Sequence, residues 1–368
     1  MPQIRKHGTR FAYEPDYAVP PGHTLQETID GLGIDQRELA NRAGLSAKHI
    51  NQIIKGVAAI THDVAIRLER VTGVPARLWN GLESNYREQR ARLDARQRLE
   101  RDLNWLRDIP TKELIHRKVI KPQSDDLSLL EEVLRFFGVG DVDAWKRGWK
   151  MSRFAFRKSL TVKGKAGALA TWLRLCELDA ARIECEKFDK REFRKALDTI
   201  RNLTTAAPTK FVNVMTSRCA AAGVALALVP EIKGAPVSGA AKWLTPTKAM
   251  IGLNLRDKFN DRFWFTFFHE CGHILNDSKK ETFVDVDYAD DPREQSANEF
   301  ASDLLIPPSK AEQLQWLQTR ASVTRFADSI GIAPGIVVGR LQREQALPYS
   351  HLNGLKVRLK WADEEASC

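Results

Sequence analysis

Apolar residues recur at three- and four-residue intervals from Thr24 to Leu106, which predicts a succession of α-helices over this part of the chain. Glycines interrupt the pattern at positions 31, 33, 44, 56 and 73, where they predict turns between the helices. Residues 1–20 are polar and show no periodicity, so we expect an arm there.

Within this helical part, the segment from Ile34 to Gly56 predicts two short helices joined by a tight turn. Asp35 can cap the first helix and Ser46 the second. Gly44 can adopt the left-handed conformation that the turn requires. A small residue at Ala40, a glycine four positions later and an aliphatic residue six positions after that have the spacing of a helix-turn-helix motif.

In such a motif the outward side chains of the second helix face the major groove of DNA. Amide side chains can pair with adenine, and basic side chains can reach guanine edges or phosphates. The residues predicted to contact DNA are Gln36, Ser46, Lys48, Asn51, Gln52 and Lys55. The alternative is a helical hairpin whose polar face is merely solvated.

The residues that flank the motif, PPGHTLQETID before it and GVAAITHDVAIRLERVTGVPARLWNGLESNY after it, extend the pattern. Over residues 21–86 the chain resembles DNA-binding antitoxins of the HigA type, in the xenobiotic-response-element class of repressors. The resemblance implies a five-helix domain that binds double-stranded operator DNA as a homodimer. The charged helix predicted from Tyr86 to Leu106 could dimerise or pack on the next domain.

A second motif lies in the apolar segment from Arg262 to Asn276, which predicts a buried helix. His269 and His273 are four residues apart, so both imidazoles lie on one face of that helix and can share a metal ion. Glu270 between them is placed to hold a water, as in the HExxH motif of zinc peptidases. The alternative is a core helix with two hydrogen-bonded histidines.

Asp291 to Pro307 predicts a further helix that can complete the metal site. Glu294 and Asn298 lie four residues apart on its polar face, so Glu294 can be the third ligand and Asn298 can orient a histidine. Other carboxylates compete for the third position, namely Asp285, Asp287, Asp290 and Glu299. Cys271 points away from the two histidines and is predicted to be a core residue.

HECGH followed by EQSANEFASDLLIP looks like the ImmA/IrrE family of bacterial zinc metallopeptidases, over residues 190–310. The resemblance implies one Zn²⁺ per chain with Glu294 as the third ligand, although the family often has a glutamate where this chain has Ser296. It also implies peptide-bond hydrolysis with Glu270 as the base. The expected substrate is a regulatory protein partner, such as a repressor, an antitoxin or a toxin, cleaved in a stress or mobile-element response.

Three apolar runs precede the HExxH segment, at residues 224–230, 237–244 and 248–254, and predict short strands that could receive a substrate peptide as an added strand. Residues 323–345 repeat the rhythm of a helix-turn-helix. The outward positions of its second helix, Gly335, Val338 and Gly339, suit packing better than base reading.

These patterns together predict a multidomain, mainly α fold: an all-α helix-turn-helix domain, a helical connecting region, and an α+β zincin-like domain with a small sheet. The expected divisions are an arm at 1–20, the helix-turn-helix domain at 21–86, the connecting region at 87–189, the peptidase domain at 190–310 and a C-terminal helical region at 311–368.

Charge adds one more feature, because 57 Lys and Arg residues against 47 Asp and Glu give a net charge of +10. Much of the excess lies in residues 144–174, where basic and aromatic residues alternate. That alternation is typical of surfaces that track a nucleic-acid backbone, with Lys146, Arg147, Lys150 and Arg153 as candidate contacts. The alternative has the aromatic rings inward and a solvated basic face outward.

Five cysteines without close pairing indicate no disulfide framework, and no apolar run approaches the length of a membrane span, so we expect a cytoplasmic protein without membrane contact. The function predicted is a DNA-binding regulator that carries a zinc endopeptidase. The competing hypothesis is an autorepressor whose zinc domain is structural or sensory. The presence of Glu270 favours the peptidase, because a purely structural site needs no general base.

Overall fold

The structure is a computed structural model and describes residues 17–153, 166–279, 282–284 and 291–362. Its backbone separates into two compact units, an N-terminal unit that ends at Leu103 and a C-terminal unit that begins at Asn104. The chain is therefore multidomain and mainly helical, as the sequence predicts.

The described part of the N-terminal unit contains five helices: α1 (Pro21–Gly31), α2 (Gln36–Ala43), α3 (Ala47–Ile54), α4 (His62–Thr72) and α5 (Ala76–Glu100). Asp35 caps α2 by accepting a hydrogen bond from the Glu38 amide at 2.8 Å, and Ser46 caps α3 through the His49 amide at 3.1 Å. Gly44 ends α2 with a φ of 64°. The predicted caps and turn are confirmed.

The core of this unit lies between α2, α3 and the flanking helices, where Leu39, Ile50 and Ile53 are fully buried. α1 crosses α3 so closely that a Cβ on Gly22 would lie 2.3 Å from Ile54 Cα. α5 continues to Glu100, so the expected boundary at residue 86 falls inside a helix.

A 3₁₀ helix (Leu103–Asp108) spans the junction between the two units. Before the sheet, the C-terminal unit contains α6 (Thr111–His116), α7 (Asp126–Phe137), α8 (Val142–Arg153), α9 (Ala166–Arg182), α10 (Lys190–Arg201) and α11 (Pro208–Ala221). The sheet and the helices that follow are β1 (Val224–Leu228), β2 (Gly239–Thr245), β3 (Lys248–Leu253), α12 (Asn260–Asn276), β4 (Thr282–Val284), α13 (Pro292–Leu305), α14 (Pro308–Ala311), α15 (Arg320–Ile330) and α16 (Pro334–Arg343).

The sheet has the strand order β1-β3-β2-β4, with β1 parallel to β3 and the other two pairs antiparallel. The three predicted strands are confirmed, and β4 is an addition that lies beside β2. One face of the sheet packs on α9, where a Cβ on Gly252 would lie 2.8 Å from Cys176 Sγ. The opposite face packs on α12 through Ile251 and Leu253.

α12 is the central helix of this unit, and most of its residues are buried. It packs on α13 on one side and on α16 on another. Phe267 and Phe268 of α12, Ala301 of α13 and Val337 of α16 belong to one hydrophobic core. The expected boundary at residue 310 therefore lies within a continuous core.

α16 lies against the start of α12 through two glycines. A Cβ on Gly335 would approach Asn260 Oδ1 to 2.8 Å, and one on Gly339 would approach Asp261 Oδ2 to 2.6 Å. Val338 is fully buried as well. The prediction that these positions serve packing agrees with the structure. The prediction that they face outward is wrong, because α12 covers them.

Within the described ranges no single helix is long and apolar enough to cross a membrane, although α15 and α16 taken together, bent by 113°, meet the criteria of length and composition.

Candidate functional site

α12 places His269 and His273 one helical turn apart, and α13 brings Glu294 to them. Glu294 Oε2 lies 3.1 Å from His269 Nε2, and Glu294 Oε1 lies 3.5 Å from His273 Nε2. The two Nε2 atoms are 3.1 Å apart. One ligand atom from each residue lies within 4.8 Å of the others, and all three side chains are buried. The fold thus brings the three predicted ligands together at one point.

The close approach of α12 and α13 depends on Gly272. A Cβ at this position would lie 3.1 Å from Ala297 Cα and 3.3 Å from Phe300 Cδ1. Because glycine has no side chain, the backbone of α13 can lie close enough for Glu294 to reach both imidazoles.

Each histidine is held from behind by an oxygen atom. Asn298 Oδ1 lies 3.1 Å from His269 Nδ1, and Asp277 Oδ2 lies 2.7 Å from His273 Nδ1. An N–H at Nδ1 donates to each of these oxygens, which leaves Nε2, the ring atom nearer to Glu294, as the atom of each histidine that can bind a metal ion. Asn298 is a predicted residue of this site, whereas Asp277 is not. Its position four residues after His273 is the sequence signal that identifies it.

The electrostatics of the cluster fit a bound cation. Burial lowers the pKa of His273, but hydrogen bonds to Asp277 and Glu294 outweigh it and raise the pKa to about 10. Burial raises the pKa of Glu294, but its hydrogen bonds to His269 and His273 lower the pKa to about 2. A site with this preference for positive charge, built from two nitrogens and one carboxylate, has the donor set of a catalytic zinc site.

Glu270 is fully buried beside this cluster, and its carboxylate lies under the first residue of β2. A Cβ on Gly239 would lie only 2.7 Å from Glu270 Oε1 and 2.5 Å from Thr266 Cγ2. Glycine at this position therefore leaves room for the carboxylate. No motif marks Gly239, because its place over Glu270 arises from the packing of the sheet on α12.

The competing candidates lie elsewhere or outside the described residues. Cys271 is in the hydrophobic core, where burial raises the pKa of its thiol well above the ordinary value, which agrees with the core role predicted for it. Glu299 is exposed and accepts a hydrogen bond from Gln295 at 2.9 Å. Asp285, Asp287 and Asp290 fall outside the described ranges.

The residues predicted to read DNA lie on α2 and α3. Ser46, Lys48 and Lys55 are exposed, and Gln36, Asn51 and Gln52 are half-buried. Three amides form a chain in which Asn51 Nδ2 donates to Gln36 Oε1 at 3.3 Å and Gln36 Nε2 donates to Gln26 Oε1 at 2.8 Å. Gln26 belongs to α1, so these two hydrogen bonds link α1 to α3 through Gln36 of α2.

Family models match both regions. One described as helix-turn-helix matches residues 25–79, and a peptidase M78 model described as IrrE N-terminal-like domain matches residues 231–341. An uncharacterized HTH-type transcriptional regulator, YddM, of Escherichia coli (strain K12) is 31% identical over 64 residues, which are 17% of this chain and 68% of that relative. The chain belongs to the helix-turn-helix regulator family and carries an IrrE-like domain.

Further relatives match a similarly short part of the chain. Virulence-associated protein I of Dichelobacter nodosus is 33% identical over 70 residues, which are 19% of this chain and 65% of that protein. Among solved structures, the Pseudomonas aeruginosa antitoxin HigA with the higBA promoter is 29% identical and covers 23% of this chain and 94% of its own, with a TM-score of 0.22. The structure of PA4674 from the same organism, in complex with its operator DNA, is 32% identical. The match covers 20% of this chain and 82% of that chain, with a TM-score of 0.20.

A cleft of about 810 Å³ in the IrrE-like domain leads to His269 and Glu294. α13 contributes acidic residues to its wall, among them Glu299 and Asp303. α16 and the segment after it contribute another part of the wall, including Arg343, whose guanidinium carbon lies 4.4 Å from the centre of the Phe265 ring. The C-terminal helices, predicted as a separate region, thus help to build the cleft.

The basic aromatic stretch 144–174 turns its described rings inward. Trp145 packs against Trp105, with the ring centres 5.0 Å apart, and Trp172 is fully buried and donates from Nε1 to the Val229 carbonyl. Lys146 and Arg147 are exposed. The side chains of Lys150 and Arg153 lie outside the described part of the chain. The described part of this stretch therefore agrees with the alternative interpretation, in which the aromatic rings face inward and the basic side chains face solvent.

Proposed function

We propose that the protein is a DNA-binding transcriptional regulator whose IrrE-like domain is a zinc-dependent endopeptidase. The observation that carries the proposal is the meeting of His269, His273 and Glu294 beside a large cleft that His269 and Glu294 line, with Glu270 buried next to them. A structural zinc site is normally closed by four protein ligands, whereas three ligands facing a cleft are typical of a catalytic one.

His269, His273 and Glu294 would hold the zinc, which when bound acts as a Lewis acid for the attacking water and the scissile carbonyl. Asn298 and Asp277 keep the imidazoles oriented by accepting from Nδ1. Glu270 takes a proton from the attacking water as the carbon–oxygen bond forms, and it gives that proton to the amine that leaves when the peptide bond breaks. Burial of Glu270 keeps this proton transfer away from bulk solvent.

A polypeptide is the substrate that the proposed activity requires, and the charged side chains on the walls of the cleft, among them Glu299, Asp303 and Arg343, can contact the polar backbone of a bound peptide. We propose that the substrate is a regulatory protein that acts at the same DNA, such as a repressor, an antitoxin or a toxin partner. The N-terminal unit would bind double-stranded operator DNA as a homodimer through Ser46, Lys48, Asn51, Gln52, Lys55 and Gln36.

The test is incubation of the wild-type protein, with zinc present, with the products of the neighbouring genes and with the chain itself. The proposal expects cleavage at a defined peptide bond, detected by mass spectrometry, and loss of that cleavage in Glu270→Gln. Glu299→Gln is the matched control, because Glu299 is a carboxylate of the cleft outside the ligand cluster. If no candidate is cleaved in a Glu270-dependent way, the peptidase assignment is wrong and the structural or sensory zinc domain is favoured.

A further inference from the structure

A small cavity of about 90 Å³ adjoins the cleft. The two share a rim made by Arg262, Phe265, Ser302, Arg340, Arg343 and Tyr349. Beyond the rim the small cavity has apolar walls from Leu305, Ile306 and Ile336, which are nearly fully buried. A single buried water requires only about 10–15 Å³. The cavity therefore has room for a side chain of a peptide that lies in the cleft.

Two buried polar atoms of its lining residues have no hydrogen-bond partner among the residues that the structure describes. They are Asp261 Oδ1, an acceptor, and Arg340 Nη1, a donor. The Asp261 side chain is only 5% exposed. A Cβ on Gly339, the residue before Arg340, would touch Asp261, so Asp261 packs against the turn of α16 that carries Arg340, and both residues line the same small cavity. Buried polar atoms are rarely left without a partner, which points to a ligand that supplies one to each.

Both groups are already neutralised by ion pairs. Asp261 Oδ2 accepts from Lys356 Nζ at 2.7 Å, and Arg340 Nε pairs with Glu344. A lysine side chain in the cavity would meet the guanidinium of Arg340, and a glutamate side chain would meet the carboxylate of Asp261. Either would place an uncompensated charge in a largely apolar space, so a charged ligand is disfavoured.

We propose that this cavity is a specificity subsite for a primary side-chain amide, that of glutamine or asparagine, in the peptide bound at the cleft. The amide N–H₂ would donate to Asp261 Oδ1, and the amide oxygen would accept from Arg340 Nη1, while the methylene carbons lie on the apolar walls. An amide is neutral and carries a donor and an acceptor on separate atoms, so it can offer a partner of the right kind to each of the two buried atoms. The subsite rests on the proposed function, since it takes a peptide as the ligand of the cleft.

The test measures binding rather than turnover. Fluorescein-labelled peptide mixtures, each with one fixed position occupied by Gln, Asn, Glu, Lys, Leu or Thr, are titrated with zinc-loaded Glu270→Gln protein and followed by fluorescence polarisation. At one position the amide peptides are expected to bind about ten-fold or more tightly than the others, because a site built for hydrogen bonds rejects ligands that leave them unmade.

Arg340→Lys keeps the charge but loses the guanidinium N–H, and we expect it to reduce the amide preference to less than about three-fold. Arg256→Lys is the matched control, because Arg256 lines the cleft but not the small cavity, and it should keep the full preference. Arg340 is changed rather than Asp261, because removal of Asp261 would leave Lys356 buried without its counterion.

Equal affinity for all six peptide sets, a preference for threonine, absence of any binding, or an amide preference that survives in Arg340→Lys would each overturn the subsite. Cleavage of the same peptides by the wild-type protein is measured in parallel. An amide preference in binding without Glu270-dependent cleavage would overturn the peptidase proposal and leave the subsite standing.

Discussion

The carboxylate of Glu270 lies directly under Gly239, and a Cβ at that position would come within 2.7 Å of Glu270 Oε1. The strand β2 thus forms a lid over the residue to which we assign the proton transfer. The position of the proposed base therefore depends on a contact between the sheet and α12 as much as on the HExxH segment. No sequence motif marks Gly239.

Gly239→Ala should displace the Glu270 carboxylate, because the added carbon cannot share its space. We expect kcat to fall by about 10²-fold, near the contribution of a general base, while the zinc content stays at one per chain. Steady-state kinetics measures kcat, and inductively coupled plasma mass spectrometry measures the zinc content. Gly252→Ala is the control, because its Cβ would meet Cys176 on the other face of the sheet. An equal loss of kcat in both variants would show that Gly239 acts only through stability.

Removal of a ligand should remove the metal. In His269→Ala or Glu294→Ala only two of the three ligands remain, and we expect bound zinc to fall well below one per chain after dialysis. Glu299→Ala, which changes a cleft carboxylate that lies outside the cluster, should keep full occupancy. Full zinc in Glu294→Ala would show that another carboxylate is the third ligand.

The oxygens behind the histidines should tune zinc affinity without being ligands. Asp277→Asn and Asn298→Ala weaken the acceptors at Nδ1 of His273 and His269, and we expect each to lower zinc affinity by about 10- to 100-fold. Competition with a chromophoric chelator measures the dissociation constant. Asp303→Asn, on the cleft wall, serves as the control. Unchanged affinity in both variants would contradict this role.

Substitutions in and next to α3 should separate base reading from phosphate binding. Asn51→Ala is expected to relax base preference, because it removes an amide that can pair with adenine. Lys55→Ala is expected to weaken binding to all sequences alike and to reduce the salt dependence. Selection of binding sites from random DNA, combined with salt titrations on one operator, distinguishes the two. The assignment fails if Asn51→Ala keeps the wild-type sequence preference.

The basic face of α8 gives a prediction that concerns affinity only. Because Trp145 packs inward, Lys146 and Arg147 can offer charge but no base stacking. If they contact phosphates, the double reversal K146E/R147E should reduce the slope of log affinity against log salt by about 0.9 per lost contact, with sequence preference unchanged. A slope equal to that of the wild type would show that Lys146 and Arg147 do not contact DNA.

Much of the site follows from local spacing. The four-residue intervals from His269 to His273 and from Glu294 to Asn298 hold because both segments are helical, and the caps at Asp35 and Ser46 depend only on their nearest neighbours. The same four-residue interval separates His273 from Asp277, so the contact between these two residues could also have been predicted from the sequence.

The remainder depends on contacts between distant segments. Gly239 reaches Glu270 only when β2 packs on α12, and the wall of the cleft includes Arg343 only because Gly335 and Gly339 let α16 lie against α12. The rhythm resembling a second helix-turn-helix indicated that these glycines suit packing, but it did not identify α12 as the helix that covers them. Sequence periodicity reports which residues of a helix are apolar, but it does not say which partner covers them.

The amide chain from Gln26 through Gln36 to Asn51 has a consequence for how operator preference can change. Asn51 is held by a side chain of α2 that is itself held by a side chain of α1. A substitution at Gln26, outside the recognition helix, would free Gln36 and let Asn51 turn. If α3 reads the operator as proposed, new operator specificities could therefore arise through a position of α1, and related regulators with identical α3 sequences need not share their binding sites.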